Sequence, residues 1–119
     1  MLSDSAVVIG NPEVKKLKIR QAATTIPDKF KLYQNSPNPF NPITQIRYEI
    51  PTRSQVEITI YDALGKKVKS LVSAEQEAGF HEVSWDATDD TGAAVASGIF
   101  FYHFSAGKYF AARKMVVLR

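Results

Sequence analysis

Cysteine is absent from the 119 residues, which excludes a disulfide framework, a thiolate metal site and a cysteine nucleophile. This does not place the chain inside a cell, since exported bacterial proteins often fold without disulfides. Histidine is scarce: His81 and His103 are the only imidazoles, each inside a stretch that reads as strand, and no Gly-x-Ser-x-Gly elbow accompanies the serines. The catalytic inventory is therefore thin, and the sequence predicts a protein that is not an enzyme. Long apolar runs are missing as well. Ala6 to Ile9 supplies only four apolar residues before Gly10, too few for a signal-peptide core or a membrane span. Export would thus require a signal upstream, the chain being the C-terminal piece of a longer polypeptide. No segment shows sustained helical spacing.

Charge of one sign is also lacking where a fold would display it. The net charge of +3 resides in residues 1–31, which hold six Lys or Arg against three acids, whereas residues 32–119 hold nine of each. A nucleic-acid binder concentrates positive charge on the folded surface that meets phosphates, so nucleic acid is not an expected partner.

What is present suits one domain with an appendage. Hydrophobic residues make up 45% and aromatic residues 11% of the chain, enough to fill a core. Residues 1–29 read as an N-terminal arm and linker. Val14, Leu17 and Ile19 interleave with Lys15, Lys16, Lys18 and Arg20, as in an extended arm or the last strand of a preceding domain, and Gln21 to Lys29 offers little to bury. The domain itself is placed at residues 30–119.

Phe30, Leu32 and Tyr33 suggest a short first strand. Pro37, Pro39 and Pro42 then fix extended backbone and remove amide donors, which predicts a rigid lead-in loop anchored by Phe40. Ile46, Tyr48 and Ile50 alternate with polar residues up to Pro51, and Val56, Ile58 and Ile60 do the same. Asp62 to Gly65 supplies a hairpin loop, Lys66 to Val72 a returning edge strand, and Glu75 to Gly79 a connection. Phe80 to Asp86 is the next strand, with His81, Val83 and Trp85 on one parity. Asp89 to Gly92 turns the chain again. Ile99 to Phe104, apolar on both faces apart from His103, reads as a central strand covered from both sides, and Lys108 to Leu118 closes the fold. About seven strands with regular turn signals predict an all-β fold, an antiparallel immunoglobulin-like β-sandwich.

Three constellations remain. Asp86, Asp89 and Asp90 invite a calcium hypothesis, but they lack the ligand spacing of an EF-hand loop and read better as turn residues, so no metal or other cofactor is expected. Tyr61, Phe100, Tyr102, Tyr109 and Phe110 would suit a carbohydrate platform, although core packing explains most of them equally well. The run Lys114, Met115, Val116, Val117, Leu118 and Arg119 reads as a closing strand whose apolar residues seal the core, and such a strand can also be presented to a partner.

Several separated motifs carry a family resemblance. Leu32 to Pro42 resembles the "LYQNYPNPFNP" opening of type A C-terminal sorting domains of the type IX (Por) secretion system. Ile46 to Tyr48 matches "IRY"; Tyr61, Asp62, Leu64 and Gly65 match "YDxLG"; Ala78, Gly79, His81, Glu82 and Val83 match "AGxHEV". Ser97 to Tyr102 is similar to "SGVYFY" and Arg113 to Arg119 to "RKMVLLR", so that the likeness runs in order over about 88 of 119 residues. The loop with Trp85, Asp86, Asp89, Asp90, Gly92, Val95 and Ala96 also resembles the immunoglobulin-like domain of flagellar hook-capping proteins. The first resemblance implies a non-catalytic sorting signal behind an N-terminally fused cargo domain. The cargo would pass through the periplasm to the cell surface or the exterior, with the outer-membrane translocon and a sortase as partners and surface lipopolysaccharide as the final attachment. Carried over by position, the recognition element is Lys114, Met115, Val116, Val117, Leu118 and Arg119, supported by Gly98 and Phe101, and any cleavage falls in or near Gln21 to Lys29. The alternative from a different class is an accessory immunoglobulin-like spacer or carbohydrate-binding module of an extracellular enzyme.

Overall fold

The computed structural model describes residues 26–119, so the predicted arm and linker lies outside the described residues up to position 25. Seven strands form: β1 (Lys31–Leu32), β2 (Thr44–Ile50), β3 (Ser54–Asp62), β4 (Lys67–Gln76), β5 (Gly79–Trp85), β6 (Gly98–Ala106) and β7 (Tyr109–Val117). Alternation of inward and outward positions is cleanest in β2 and β3, where Ile46, Tyr48 and Ile50, and Val56, Ile58 and Ile60, point inward. The strands hydrogen-bond into a three-stranded sheet, order β1-β2-β5, and a four-stranded sheet, order β4-β3-β6-β7, with every pair antiparallel. This is an all-β immunoglobulin-like sandwich, as the alternation and turn spacing predict.

The core forms between the sheets. Ile46, Tyr48, Ile50 and Trp85 from the first sheet meet Val56, Ile58, Ile60, Phe100, Tyr102, Phe104, Met115 and Val117 from the second. Trp85 is held by Phe40 and Phe100, with ring centroids 5.7 and 5.5 Å away, and its indole nitrogen donates to the Thr88 carbonyl at 2.8 Å. Gly65 closes the β3–β4 hairpin at φ 85°, a left-handed conformation that a Cβ would strain, while the Asp62 carboxylate accepts the amides of Leu64 and Lys66.

Three expectations change. β6 is central in its sheet, between β3 and β7, but it is covered on one side only: Phe100, Tyr102 and Phe104 point into the core, while Ile99 is 44% exposed and Phe101 and His103 are half-buried on the outer face. A sandwich has two layers, and the aromatic side chains of the outer face shield one another instead. β4 continues to Gln76, past the predicted stop at Val72, because Ser54 to Glu57 of β3 reach back to pair with Ser73 to Gln76. Only Glu77 and Ala78 are left to carry the chain into β5 of the other sheet. Finally, the closing strand ends at Val117, and Leu118 is 52% exposed where a core position was expected.

Candidate recognition site

β7 is the outer strand of its sheet, and its alternation divides the predicted recognition element into two kinds of residue. Met115 and Val117 point inward and are fully buried. Lys114 and Val116 face outward, the first exposed and the second half-buried, and Leu118 and Arg119 follow beyond the strand. Pairing with β6 sets Gly98 opposite Val117, Ile99 opposite Val116, Phe100 opposite Met115 and Phe101 opposite Lys114. The structure therefore brings Gly98 and Phe101 against the final strand. Ile99 belongs to the same outward face, although the sequence reading did not single it out. Counting outward from the turn at Gly107, where Ala106 pairs with Tyr109, would have located it.

An outer strand leaves a row of amides and carbonyls without a neighbour, a liability that folds cover. Here the proline-rich lead-in covers it. Phe40 donates its amide to the Val116 carbonyl at 3.2 Å and accepts from the Leu118 amide at 3.0 Å, a parallel bridge. The Val116 amide donates to Asn38 Oδ1 at 2.9 Å, Gln34 Nε2 donates to the Lys114 carbonyl at 2.8 Å, and Arg113 Nε donates to the Leu32 carbonyl at 2.9 Å. The two most distinctive stretches of the sequence are thus one structural unit. Sequence reasoning foresaw Phe40 as an anchor and missed Asn38, whose role depends on a contact 78 residues away that no local pattern encodes.

Arg119 fastens the other side. Its amide donates to Ser97 Oγ at 2.8 Å, and its guanidinium reaches the carbonyls of Val95 and, at 2.7 Å, Ala87. The five donors of a planar guanidinium suit a staple across two carbonyls. Ala87 is the one non-glycine residue with positive φ among the described residues, 62°, and is fully buried beside Trp85.

A buried polar network holds the lead-in onto the sandwich. The Tyr102 hydroxyl donates to the Tyr33 carbonyl at 2.7 Å and accepts from the Asn35 amide at 2.8 Å. The Asn35 side chain donates to Thr44 Oγ1 at 3.0 Å and to the Pro37 carbonyl at 3.2 Å, and Thr44 Oγ1 donates to the same carbonyl at 2.8 Å. Burial pushes the Tyr102 phenol up to about 12, against the opposing pull of the Asn35 amide and the Arg113 charge. Because an unfolded tyrosine ionises near pH 10 and the native one near 12, the stability this shift represents is complete below pH 10. It is lost as pH rises from 10 through 12, at up to about 1.4 kcal/mol per pH unit. Denaturant titrations at pH 9 and pH 11 should therefore show a steeper loss in the parent than in Tyr102→Phe. Equal losses would contradict this account.

The residues of the other two constellations have different surroundings. Of the predicted sugar platform, Phe100 and Tyr102 are core residues, and Tyr109 stacks on Phe30 with centroids 5.2 Å apart. Tyr61 and Phe110 stay outside, on either side of His103, with planes inclined to it by 39° and 81°, which is no flat platform. The three aspartates are engaged by different partners: Asp86 accepts the Thr88 hydroxyl, Asp89 accepts the Thr91 hydroxyl and the amides of Thr91 and Ala93, and Asp90 accepts the Ser70 amide of β4. The Thr88 and Thr91 hydroxyl hydrogen bonds lower the carboxyl pKa values of Asp86 and Asp89, respectively. Among the described residues no three His, Asp or Glu side chains gather as a metal site.

No curated protein matches the sequence. Among solved structures, dimeric latent PorU from Porphyromonas gingivalis is similar at a TM-score of 0.60 and 20% identity, over 86% of this chain and 10% of that one. PorZ, described as an essential bacterial surface component of the type-IX secretion system of Porphyromonas gingivalis, is similar at a TM-score of 0.52 and 22% identity, over 74% of this chain and 11% of that one. At these identities the likeness is one of fold, and the chain spans about a tenth of either protein. A family model described as the FlgD Ig-like domain matches residues 43–109, more than half of the chain. The chain therefore belongs to the FlgD Ig-like domain family.

Proposed function

We propose that residues 30–119 are a type IX sorting domain of type A, a folded address without chemistry of its own, which delivers a fused cargo through the periplasm to the cell surface or beyond. One observation carries the reading. The opening Leu32–Phe40 and the ending Lys114–Arg119, which hold the most distinctive motifs of the sorting-domain resemblance, close on each other along one sheet edge, while Phe101, Lys114 and Val116 keep an outward face. The fold likeness to a type IX surface component supports it. In this reading Met115 and Val117 hold the strand in place. Its outward side chains are what the outer-membrane translocon inspects, and a sortase acts afterwards, upstream of the domain.

The test separates shape from signal. Lys114→Glu combined with Val116→Glu changes only the outward face, so Trp85 emission should stay at the parental wavelength. Surface delivery of the full-length parent should fall at least about tenfold, as expected when charge reversal opposes a recognition surface. Glu82→Lys with Ser84→Lys, on the exposed face of β5, should leave delivery intact. If the parent is delivered normally after residues 30–119 are replaced, the sorting reading fails. Loss of retention on insoluble glycans in that same replacement would instead mark an accessory binding module.

A further inference from the structure

Three strands face four in this sandwich, and the shortfall lies beside β5. Leu32 of β1 meets Arg113 of β7 and Tyr48 of β2 meets Phe104 of β6, which sets β5 against β3 and leaves β4 without a strand opposite. The burial shows it. Val72 and Ala74 of β4 pair with Ile58 and Val56, so they share the inner face of their sheet with two fully buried residues. Yet Val72 is half-buried and Ala74 exposed, and Val83 on the inner face of β5 is half-buried too.

The backbone beside this strip is open as well. β5 pairs with β2 on one side, and its other side makes no backbone hydrogen bond among the described residues. The other long edges are protected. The lead-in lies along β7, and at β4 Asp90 donates its amide to the Val68 carbonyl at 3.0 Å and accepts the Ser70 amide at 3.2 Å, beside two register shifts. An unpaired edge next to an uncovered apolar strip is where a sheet accepts a further strand.

A segment of this chain has the pattern to fill it. Leu17 and Ile19 fall on one parity and Lys16, Lys18 and Arg20 on the other, as in a strand with one apolar face, and the segment lies outside the described residues. Its direction suits β5. β1 starts at Lys31, opposite Glu49, and β5 starts at Gly79, opposite Ile50, so the chain enters β1 at the end of the sheet from which β5 departs. A strand finishing at that end runs antiparallel to β5. Crossing from the far side of β5 to β1 covers three strand spacings, about 14 Å, against the roughly 33 Å that residues 21–30 can span. Charge agrees. Residues 67–90 carry two lysines against six acids, and with Arg47, opposite Glu82, and Arg53, ion-paired to Glu75 and Glu77, this side keeps a net charge of −2. Residues 14–20 carry four cations and no acid.

We infer that residues 16–20 add to β5 as an antiparallel fourth strand of the smaller sheet, with Leu17 opposite Val83, Lys18 opposite Glu82, Ile19 opposite His81 and Arg20 opposite Phe80. This register turns both apolar side chains toward Val72 and Ala74 and sets a lysine beside a glutamate on the outer face. Whatever precedes the domain is then held at a fixed sheet edge. The final strand belongs to the other sheet, so this contact is independent of the sorting reading.

The chain has no cysteine, so an introduced pair reports proximity without background. In the full 119-residue chain at high dilution, Lys18→Cys with Glu82→Cys should close an intramolecular disulfide about tenfold or more faster than Lys18→Cys with Glu57→Cys, an exposed position on the other sheet. Leu17→Asp with Ile19→Asp, its core checked by Trp85 emission, should make the β5 amides that point away from β2 exchange about tenfold or more faster. Equal closure of the two cysteine pairs, disulfides formed only between chains, or unchanged exchange of those amides in the aspartate variant would each overturn the inference.

Discussion

Removing Lys114–Arg119 is expected to unfold the domain as well as to silence any signal it carries. The deletion takes out Met115 and Val117, both fully buried between the sheets. Truncating a buried methionine to alanine alone costs about 2–5 kcal/mol, and total deletion leaves a larger void. It also strips Phe40 and Phe100 of strand partners and frees the carbonyls of Ala87 and Val95 that Arg119 holds. Against a typical domain stability of about 5–15 kcal/mol, this sum removes most or all of the margin. Trp85, 1% exposed and packed on Phe40 and Phe100, should report the change by a red shift of its emission and loss of a cooperative denaturant transition. A truncated chain with parental emission and an unchanged midpoint would show that the last four residues of β7 are dispensable to the core. The consequence for function is direct: loss of delivery after tail deletion cannot distinguish a missing signal from an unfolded one, whereas the outward variants at Lys114 and Val116 can.

How much of this was legible in the sequence depends on the range of the interaction. Ile46, Tyr48 and Ile50, or Val56, Ile58 and Ile60, declare a buried face by period alone, and Asp62 to Gly65 declares a hairpin by turn chemistry. Ser73 to Gln76 carries no apolar alternation and reads as loop. It becomes strand only because β3 offers a ladder of backbone partners, a tertiary cause. The outer face of β6 failed in the opposite sense. Ile99 and Phe101 are as apolar as core residues, and period cannot tell a second covering layer from an exposed aromatic patch. The site was legible in composition and illegible in arrangement. Lys114–Arg119 announced itself by motif, but its division into core and outward halves needed the register, and its lock onto Asn38 and Phe40 needed the fold.

That lock yields the second large effect. Phe40→Ala should cost about 3–5 kcal/mol, the range for a buried phenylalanine, since Phe40 is 3% exposed and packs on Trp85. If the lead-in acts only as a plug, the loss should add to that of Val117→Ala. If the two segments are one unit, the losses should couple, because Phe40 and Val117 are bridge partners and share the hydrogen bonds at Val116 and Leu118. A double-mutant cycle is expected to return a coupling of about 0.5–3 kcal/mol for this pair, against near zero for Phe40→Ala with Leu71→Ala on β4. Amide exchange supplies a local readout. The Val116 amide is held by Asn38 and the Leu118 amide by Phe40, so in Phe40→Ala both should exchange about a hundredfold or more faster under native conditions. Additive losses with unchanged protection at these two amides would mean that the lead-in merely lies against the final strand. The more demanding outcome, coupling together with fast exchange, would mean that the strand's outward face is shaped by residues some eighty positions earlier. In that case a face built from the last residues of the chain depends on both ends of the domain.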